Sequence, residues 1–481
     1  MKVLLLSMPD ITPSSADSMI LPSLGIASLA GNVDQQRHQV KILDLVLVRK
    51  SYLAALQQAV DAYRPQFIGL SGLTCSVHTA LEIARFIRAH FPEILIGFGG
   101  YMALCHFEEL IQPDKAQSID FIIRGEAERT FAELLDSLEA KSGFETINGL
   151  SYKIDNRFVS NQPRQLTALS NIQSPDRSAR LLTQGLHFWN MPADVLETSR
   201  GCTFDCAFCC VTRQYGRNYR AYSIDRVMSD MESAYAGGTR LLVIVDDNIT
   251  LNVNRLDALC DEIIRAKLKG LKFFAQAAVK PLAQNPDIVR KMRAAGFESV
   301  FLGLENLIQR NLEFLNKKTS GYEMAARALK NLRKNKIIST AGIILGNPED
   351  TEEDLWENYR LIKKLRVDFP QFMILTPYPK TRIRGELQSL GLLTNPTDYS
   401  QYDLIHANVR TKSIPSEKLY RIVKKMFRAY YFSFFFVANN LFIRRHLGFT
   451  LRYALRELSH VIKMRILKKR SPQNTRKFTK K

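Results

Sequence analysis

Two blocks of this chain alternate short apolar runs with segments in which apolar residues recur every three to four positions. Such alternation is typical of βαβ units, whose strands form a parallel sheet covered by helices. In the first block, the apolar runs are Val3–Leu6, Val40–Leu43, Phe67–Leu70, Ile94–Phe98 and Phe121–Ile123. We therefore predict that residues 1–142 form a doubly wound α/β domain with helices such as Ser51–Tyr63 and Thr79–Phe91 between the strands.

The second block, residues 193–390, repeats the alternation six times. Its apolar runs are Asp194–Thr198, Leu241–Val245, Lys272–Ala275, Ser299–Leu302, Ile338–Ile344 and Gln371–Leu375. Six βα units predict a partial (β/α)6 barrel, with functional groups at the carboxyl ends of its strands. Between the blocks, residues 143–192 are predicted to be a linker with a small hairpin, Gly149–Lys153 and Arg157–Ser160. Residues 391–481 are predicted to form a mostly helical, basic C-terminal region.

The net charge of +20 is concentrated at the C-terminal end of the chain. Residues 444–481 contain 13 Lys or Arg residues and one acid, so they carry +12 and the preceding residues carry +8. The apolar run Ala429–Ile443 before them is shorter than the ~20 residues that span a bilayer, which disfavours a membrane-spanning anchor. Residues 427–481 suit a helix at an anionic membrane surface, or core-packing helices with a solvated basic end.

Four of the seven cysteines lie within nine residues, in the segment RGCTFDCAFCC at residues 200–210. The spacing C-x3-C-x2-C places Cys202, Cys206 and Cys209 on one loop, where three thiolates can hold three irons of a [4Fe–4S] cluster and leave the fourth iron open. A zinc site would need a fourth Cys or His at a matched spacing, and Cys210 is badly placed for that role. Cys210 is either a redox-active thiol beside the cluster or a small buried residue, and we favour the latter.

The motif C-x3-C-x-aromatic-C resembles the signature of the radical S-adenosylmethionine (SAM) superfamily. The resemblance implies that Cys202, Cys206 and Cys209 hold a [4Fe–4S] cluster and that Phe208 lies near the adenine of SAM. It also implies that the amino and carboxylate groups of SAM chelate the open iron. An electron from a donor such as flavodoxin or ferredoxin then cleaves SAM to a 5′-deoxyadenosyl radical.

Segments at later strand ends resemble SAM-binding elements of that family. The resemblance implies SAM contacts from residues that follow or end the second to fifth barrel strands, namely Asp246, Asp247, Gln276, Gly303, Glu305, Gly342 and Gly346. Asp247 or Asn248 has the alternative role of a helix cap. The segment Thr376–Thr381 resembles a family TPYPGT element with Lys380 in place of glycine, which puts the local turn in question. The sequence identifies no catalytic acid or base.

The first domain resembles the Rossmann-like cobalamin-binding domain of B12-dependent radical SAM enzymes. The resemblance rests on segments in the family's order: Pro22–Ala30, Leu43–Leu45, Gly69–Leu73, Gly99-Gly100 and Arg124–Glu128. It implies that Ser71, Leu73, Gly99 and Gly100 lie near the nucleotide tail of cobalamin. The D-x-H-x-x-G loop that donates a histidine to cobalt in classical B12 domains is missing, a lack shared by many radical SAM relatives.

The cysteine inventory separates subclasses of the family. Only Cys75 and Cys105 precede the signature and no cysteine follows Cys260, which disfavours a second cluster at either end. The resemblance then implies a cobalamin-dependent methyltransferase acting on an unactivated carbon or phosphorus centre of a small-molecule or lipid substrate. The alternative within the class is a cyclase or rearrangement enzyme, with or without cobalamin. The alternative from another class is a nucleic-acid-binding or RNA-modifying protein that uses the basic tail.

The location of the protein is expected to be cytoplasmic, with peripheral contact at the inner face of the membrane through residues 427–481. The N-terminal run MKVLLLS is followed at once by Pro9 and Asp10, unlike a signal peptide. Membrane contact would make a lipid substrate plausible. No nucleic-acid partner is expected, because the aromatic residues near the tail form a compact block instead of alternating with basic residues.

Overall fold

The computed structural model describes residues 1–10, 19–317 and 321–441. The strands are β1 (Lys2–Ser7), β2 (Met19–Ile20), β3 (Gln39–Asp44), β4 (Phe67–Ser71), β5 (Leu95–Gly99), β6 (Phe121–Ile123), β7 (Leu150–Ile154), β8 (Arg157–Ser160), β9 (His187–Phe188), β10 (Met191–Leu196), β11 (Ser199–Arg200), β12 (Arg220–Ala221), β13 (Leu241–Ile244), β14 (Lys272–Ala277), β15 (Phe297–Glu305), β16 (Ile338–Leu345) and β17 (Phe369–Ile374).

The helices are α1 (Leu24–Gly31), α2 (Tyr52–Tyr63), α3 (Val77–His90), α4 (Gly100–Cys105), α5 (Phe107–Leu110), α6 (Pro113–Ala116), α7 (Glu128–Ala140), α8 (Val211–Tyr215), α9 (Ile224–Ala236), α10 (Val253–Ala266), α11 (Val279–Gln284), α12 (Pro286–Ala295), α13 (Gln309–Phe314), α14 (Tyr322–Lys334), α15 (Glu352–Leu365), α16 (Arg382–Ser389), α17 (Ser416–Tyr431) and α18 (Phe434–Leu441). The chain divides into two compact units, Met1–Val423 and Lys424–Lys481.

The first sheet has the strand order β3-β1-β4-β5-β6-β7-β8, and its first five strands are parallel. Along β1, Val3 and Leu5 face a core with α1 and α7, whereas Leu4 and Leu6 face a core with α2 and α3. Because side chains alternate along a strand, each face of the sheet presents apolar residues, and helices cover both faces. This arrangement confirms the predicted doubly wound fold. The hairpin of β7 and β8 was expected in the linker, but it extends this sheet, antiparallel to β6.

The second sheet has the order β17-β16-β15-β14-β13-β10-β9-β2. Its six strands β10, β13, β14, β15, β16 and β17 are parallel neighbours, which confirms the predicted partial barrel. The short strands β9 and β2 add an antiparallel edge to it. Since β2 lies between β1 and α1 in the chain, the N-terminal part of the protein contributes a strand to the barrel sheet.

Conversely, the segment after the barrel contributes side chains to the core of the first domain. Tyr399 and Tyr402, around a 3-10 turn, belong to the same buried cluster as Met8 and Val77 of the first domain. Tyr402 is 1% exposed, and the Tyr399 ring lies 4.2 Å from the His106 ring, centroid to centroid. Each domain therefore completes its structure with a segment that is distant in the sequence.

The second unit is described as far as Leu441, and the basic residues 444–481 lie outside the described residues. Phe432, between α17 and α18, is 43% exposed, and Phe434, the first residue of α18, is 85% exposed. Among the described residues, no helix has both the length and the apolar character needed to cross a membrane.

A pH-dependent contribution to stability is expected from Glu109 in α5. A hydrogen bond with His106 (Nδ1 to Oε2, 3.4 Å) and an ion pair with Lys115 lower the pKa of Glu109 to about 2. Because the folded pKa lies below the unfolded value of about 4.3, this stabilisation is present above pH ~4.3 and is lost as the pH falls towards 2. In thermal unfolding, Glu109→Gln should lower the melting temperature at pH 7, and this difference should shrink at pH 3. A difference that grows on acidification would contradict the assignment.

Candidate active site

The cysteine loop follows β11 and is held by neighbouring segments. Gly201 has a left-handed backbone (φ +86°), and a Cβ there would lie 2.3 Å from the Asn218 carbonyl oxygen, so glycine is required. Further along, the Ala207 N–H donates to the Leu315 carbonyl oxygen (3.0 Å), and the Ile383 N–H donates to the Ala207 carbonyl oxygen (3.1 Å). The loop is therefore fixed between the end of α13 and the start of α16.

Cys202, Cys206 and Cys209 are free, partly exposed thiols on this loop. Burial raises the pKa of Cys209 to about 12, so its thiol is protonated until a metal displaces the proton. The described residues contain no group of three Cys, His, Asp or Glu side chains that could hold a single metal ion. In a [4Fe–4S] site, each thiolate binds a different iron, and three separate thiols on one anchored loop fit that requirement.

Asp246 and Asp247 follow β13 and hold the segment in front of the first cysteine. Asp246 is 1% exposed, and its carboxylate accepts hydrogen bonds from the Thr198 N–H (2.6 Å), the Thr198 hydroxyl (2.6 Å) and the Ser199 hydroxyl (2.5 Å). The Asp247 carboxylate accepts the Gly201 N–H (2.9 Å), and burial raises its pKa to about 6. Among the described contacts neither Asp caps a helix, and the side chain that caps α10 is Asn252.

Glu305 ends β15 beside a lysine that the sequence analysis did not identify. Its backbone is left-handed (φ +60°), and its buried carboxylate accepts a hydrogen bond from the Lys317 Nζ (3.0 Å). Burial disfavours the charge on Lys317, but Glu305 and the sulfur of Cys206 raise its pKa above the ordinary value. A Cβ at Gly303 would lie 2.5 Å from the Glu305 carboxylate, so this glycine leaves room for the carboxylate.

The other residues predicted to contact SAM lie on strands β14 to β16, directly after β16, or on the cysteine loop. Gly303 and Gly342 are register partners on β15 and β16, and Gly346 follows β16 with a left-handed backbone (φ +86°). The side chain of Gln276 on β14 is exposed, and Phe208 on the cysteine loop is partly exposed. Gln276, Glu305 and Gly346 thus lie at or just after the carboxyl ends of neighbouring strands, whereas Gly342 lies within β16 and Phe208 on the cysteine loop.

The cobalamin candidates lie at the carboxyl ends of β4 and β5. Ser71 and Gly99 are register partners, and Gly100 has a left-handed backbone (φ +75°). A Cβ at Gly100 would lie 2.8 Å from the Ser71 hydroxyl oxygen, whereas a Cβ at Gly99 would meet no atom within 4 Å. Leu73 projects outward and is 60% exposed. An open backbone surface with an exposed apolar side chain beside it fits the tail of a large cofactor.

These two regions face each other within the first unit. Tyr101 follows Gly100 on the first domain, and burial raises the pKa of its phenol. Asp247 and Cys209, which belong to the barrel, raise this pKa further, and Arg200, two residues before Cys202, donates to Glu128 of the first domain (2.6 Å). The carboxyl edge of the first sheet therefore lies against the cysteine loop.

Cys210 forms a second contact between these regions. Its thiol is hydrogen-bonded to the thiol of Cys105 on α4, and this bond together with burial raises the pKa of Cys210. Because this thiol is paired with Cys105 of the first domain, it is not placed to serve as a further iron ligand. This contact favours a packing role for Cys210, but the residue is partly exposed and not buried as expected.

We expect Cys210→Ala to leave the iron content of the reconstituted protein unchanged. The reason is that the Cys210 thiol is already paired with Cys105 of the first domain. Iron and sulfide analysis after anaerobic reconstitution would check this, with Cys105→Ala as a matched variant on the other side of the pair. Loss of iron in Cys210→Ala alone would show that its sulfur takes part in the cluster.

Lys380 retains the turn that the sequence put in question. Its backbone is left-handed (φ +63°), the conformation for which glycine would be the usual choice. Its Nζ lies 2.8 Å from the Glu108 carboxylate on α5 of the first domain. The substitution therefore keeps the turn and adds an ion pair between the domains.

Together, the fold and the cysteine loop define a radical SAM barrel beside a B12-binding domain. Comparison with protein families agrees: the radical SAM superfamily matches residues 196–362, and the B12-binding domain matches residues 18–135. These two matches cover more than half of the chain. The chain belongs to the radical SAM enzymes that carry a B12-binding domain, and its cofactors are a [4Fe–4S] cluster, SAM and cobalamin. Its substrate is a small molecule.

Several proteins are similar to this chain over most of its length. It is 29% identical to an uncharacterized methyltransferase of Pyrococcus horikoshii over 443 residues. This aligned region covers 92% of this chain and 94% of that protein. It is 24% identical over 407 residues to an anaerobic magnesium-protoporphyrin IX monomethyl ester cyclase of Synechocystis (84% and 80%) and 24% identical over 407 residues to the hopanoid C-3 methylase of Methylococcus capsulatus (83% and 74%).

Among solved structures, the chain is similar to the radical SAM methyltransferase TsrM from Kitasatospora setae, determined with cobalamin and a [4Fe–4S] cluster bound. The TM-score is 0.68 at 16% identity, and the match covers 82% of this chain and 79% of that one. This likeness supports the fold.

Proposed function

We propose that this enzyme methylates an unactivated carbon or phosphorus centre of a small-molecule or lipid substrate in a cobalamin-dependent reaction. The observation that carries the proposal is that the start of the cysteine loop contacts the first domain, where Arg200 donates to Glu126 (3.1 Å) and Glu128 (2.6 Å). Such a reaction needs both cofactor sites to reach one substrate, and the two carboxyl edges face each other across this contact. When bound, the cluster and SAM supply the radical that removes a substrate hydrogen, and cobalamin supplies the methyl group.

The residues of this chain bind and orient these groups. We propose that Cys202, Cys206 and Cys209 hold the cluster, while Asp246 and Asp247 fix the segment before them. The proposed SAM contacts are Phe208, Asp247, Gln276, Gly303, Glu305, Gly342 and Gly346, and the proposed contacts to the cobalamin tail are Ser71, Leu73, Gly99 and Gly100. Tyr101 and Tyr215, whose phenol pKa values are raised by burial, remain neutral hydrogen-bond donors between the two edges.

The test is anaerobic turnover with SAM carrying a deuterated methyl group, using the protein reconstituted with iron, sulfide and hydroxocobalamin. Small metabolites and lipid extracts would be screened as substrates. Methylation predicts a product that carries the label, together with S-adenosylhomocysteine and 5′-deoxyadenosine. A product that loses hydrogen without gaining the label would indicate the cyclase alternative, to which the magnesium-protoporphyrin relatives point. Protein that binds no cobalamin would contradict the proposal.

A lipid substrate is the second proposal, and the exposed rings of Phe432 and Phe434 support it. Exposed aromatic side chains next to a basic segment suit the interface of an anionic membrane. Co-sedimentation with anionic vesicles should be weakened in Phe432→Ser/Phe434→Ser, and Leu390→Ser, which changes another exposed apolar side chain (48%), serves as the control. Binding to RNA at matched salt without binding to vesicles would contradict this proposal.

Reduction of the cluster requires an external electron, which we propose comes from an acidic carrier such as flavodoxin or ferredoxin. Arg213 and Arg217 are exposed next to the cysteine loop and would attract such a carrier. The rate of reduction by flavodoxin should fall with ionic strength in the native protein and less steeply in Arg213→Gln/Arg217→Gln. Equal salt dependence would contradict this docking surface.

A further inference from the structure

The residues between the two domains include a buried group of charges, which we call the Arg200 network: Arg200, Arg220, Glu126, Glu128 and Glu197. Arg200 immediately precedes Gly201 and the first cysteine, whereas Glu126 and Glu128 follow β6 of the first domain. The proposed chemistry leaves the Arg124–Glu128 segment without a role. The Arg200 network assigns a role to this segment.

Arg200 directs every part of its guanidinium group at a carboxylate. Its Nη2 lies 2.6 Å from Glu128 Oε1, its Nη1 lies 3.1 Å from Glu126 Oε1, and its Nε lies 2.9 Å from Glu197 Oε2. The Arg200 side chain is 7% exposed, and those of Glu126 and Glu128 are 4% and 7% exposed. This is a desolvated ion-pair group that spans the two domains.

Further contacts restrain both acidic residues. Arg220, the register partner of Arg200 in the β11-β12 ribbon, donates to both carboxylate oxygens of Glu126 (2.5 and 3.1 Å). The Ser28 hydroxyl donates to Glu128 Oε1 (2.8 Å). Glu128 is also the first residue of α7, where the helix dipole favours a negative charge. Ser28 thus restrains Glu128 from within the first domain, and Arg220 adds a second contact from the ribbon to Glu126.

A buried ion pair adds little to stability, because desolvation offsets the attraction between the charges. The hydrogen bonds of such a pair are directional. A planar guanidinium with three carboxylate partners can form all of its hydrogen bonds in only one relative position of the two domains. An apolar contact of the same area would tolerate sliding. The network therefore specifies position rather than strength of association.

We infer that Arg200 is a positioning residue that fixes the cysteine loop to the first domain through Glu126 and Glu128, so that the two cofactor-binding regions keep one separation. The inference rests on the proposed function, because a fixed separation matters when both cofactors act on one substrate. A displacement of about 1 Å between reacting groups can cost on the order of 100-fold in rate.

The test compares Arg200→Ala, Arg200→Lys and Glu126→Gln/Glu128→Gln with the native full-length protein. The control is Arg88→Ala, whose ion pair with Asp120 (2.6 Å) lies within the first domain. Hydrogen exchange of the cluster-loaded protein without cobalamin would follow the segments 124–130 and 196–203. We expect faster exchange in both segments for Arg200→Ala and for the double variant, and partial recovery for Arg200→Lys. The control should exchange there as the native protein does.

A spectroscopic measurement tests the separation itself. After reduction, cob(II)alamin and the cluster are both paramagnetic, and pulsed dipolar electron paramagnetic resonance reports the distribution of distances between them without turnover. We expect one narrow distribution for the native protein and Arg88→Ala, a broadened one for Arg200→Ala, and a narrower one again for Arg200→Lys. In turnover, the methylated product per 5′-deoxyadenosine should fall by about 10- to 100-fold in Arg200→Ala.

The inference would be overturned if Arg200→Ala kept the native exchange and, where cobalamin binds, the native distance distribution. If Arg200→Ala does not fold, the volume-conserving Glu126→Gln/Glu128→Gln variant decides in the same way. Absence of methyl transfer in the native protein, with broadening in the variants, would count against the proposed function and leave the inference standing.

Discussion

Replacing Cys202, Cys206 and Cys209 together by alanine is expected to reduce the iron content after reconstitution from about four per chain to background, and to abolish cleavage of SAM. The loop itself should persist, because its anchors at Ala207 are backbone hydrogen bonds that the substitutions leave intact. Iron and sulfide analysis together with the visible spectrum would measure the effect. Circular dichroism would show that the variant is folded.

Cys75→Ala is the matched control for this prediction. Cys75 is also a partly exposed free thiol, but it lies on the first domain outside the cysteine loop. It should keep the native iron content. Iron that persists in the triple variant would mean that the cluster is held elsewhere, and the assignment of the site would have to be abandoned.

Glu305→Gln is expected to weaken SAM binding by about 10- to 100-fold. Hydrogen bonds to a charged group contribute ~1.5–3 kcal/mol, and the glutamine keeps the shape of the side chain while it removes the charge. Glu305 is buried next to Lys317, so water would compensate little for that loss. Equilibrium dialysis of radiolabelled SAM with the cluster-loaded protein would give the dissociation constants.

The same strand offers a control at its other end. Glu298 is also a buried carboxylate on β15, and it forms an ion pair with Arg293 (2.9 Å). Glu298→Gln should bind SAM as the native protein does, and both variants should keep their iron. Native affinity in Glu305→Gln would limit the role of Glu305 to balancing the charge of Lys317.

The sequence predicts the parts of this fold whose signal is local. All eight residues of β16 are buried, and such a run is recognisable without knowledge of its neighbours. The two-residue strands β2 and β9 carry no comparable signal, because their pairing depends on segments far apart in the chain. The hairpin of β7 and β8 is locally visible, but its attachment to β6 depends on tertiary contacts.

The site divides in the same way. The cysteine spacing and the glycines at the strand ends can be predicted because each motif is short and contiguous. Lys317 carries no motif, since its importance comes from its proximity to Glu305 and Cys206 in the folded chain. Asp246 was expected at the SAM site by resemblance, and the structure adds a supporting role through Thr198 and Ser199.

The exchange of segments between the two domains has a consequence for biosynthesis. The buried cluster of the first domain is incomplete until Tyr399 and Tyr402 have been synthesised. Strand β2 likewise cannot pair until β9 has been synthesised. At roughly 5–20 residues per second, about 13–50 s of translation separate the end of the first domain at residue 142 from Tyr402, which completes that cluster. The nascent N-terminal domain would expose apolar surface during this time, and a truncated gene that ends before the barrel should yield an aggregation-prone product.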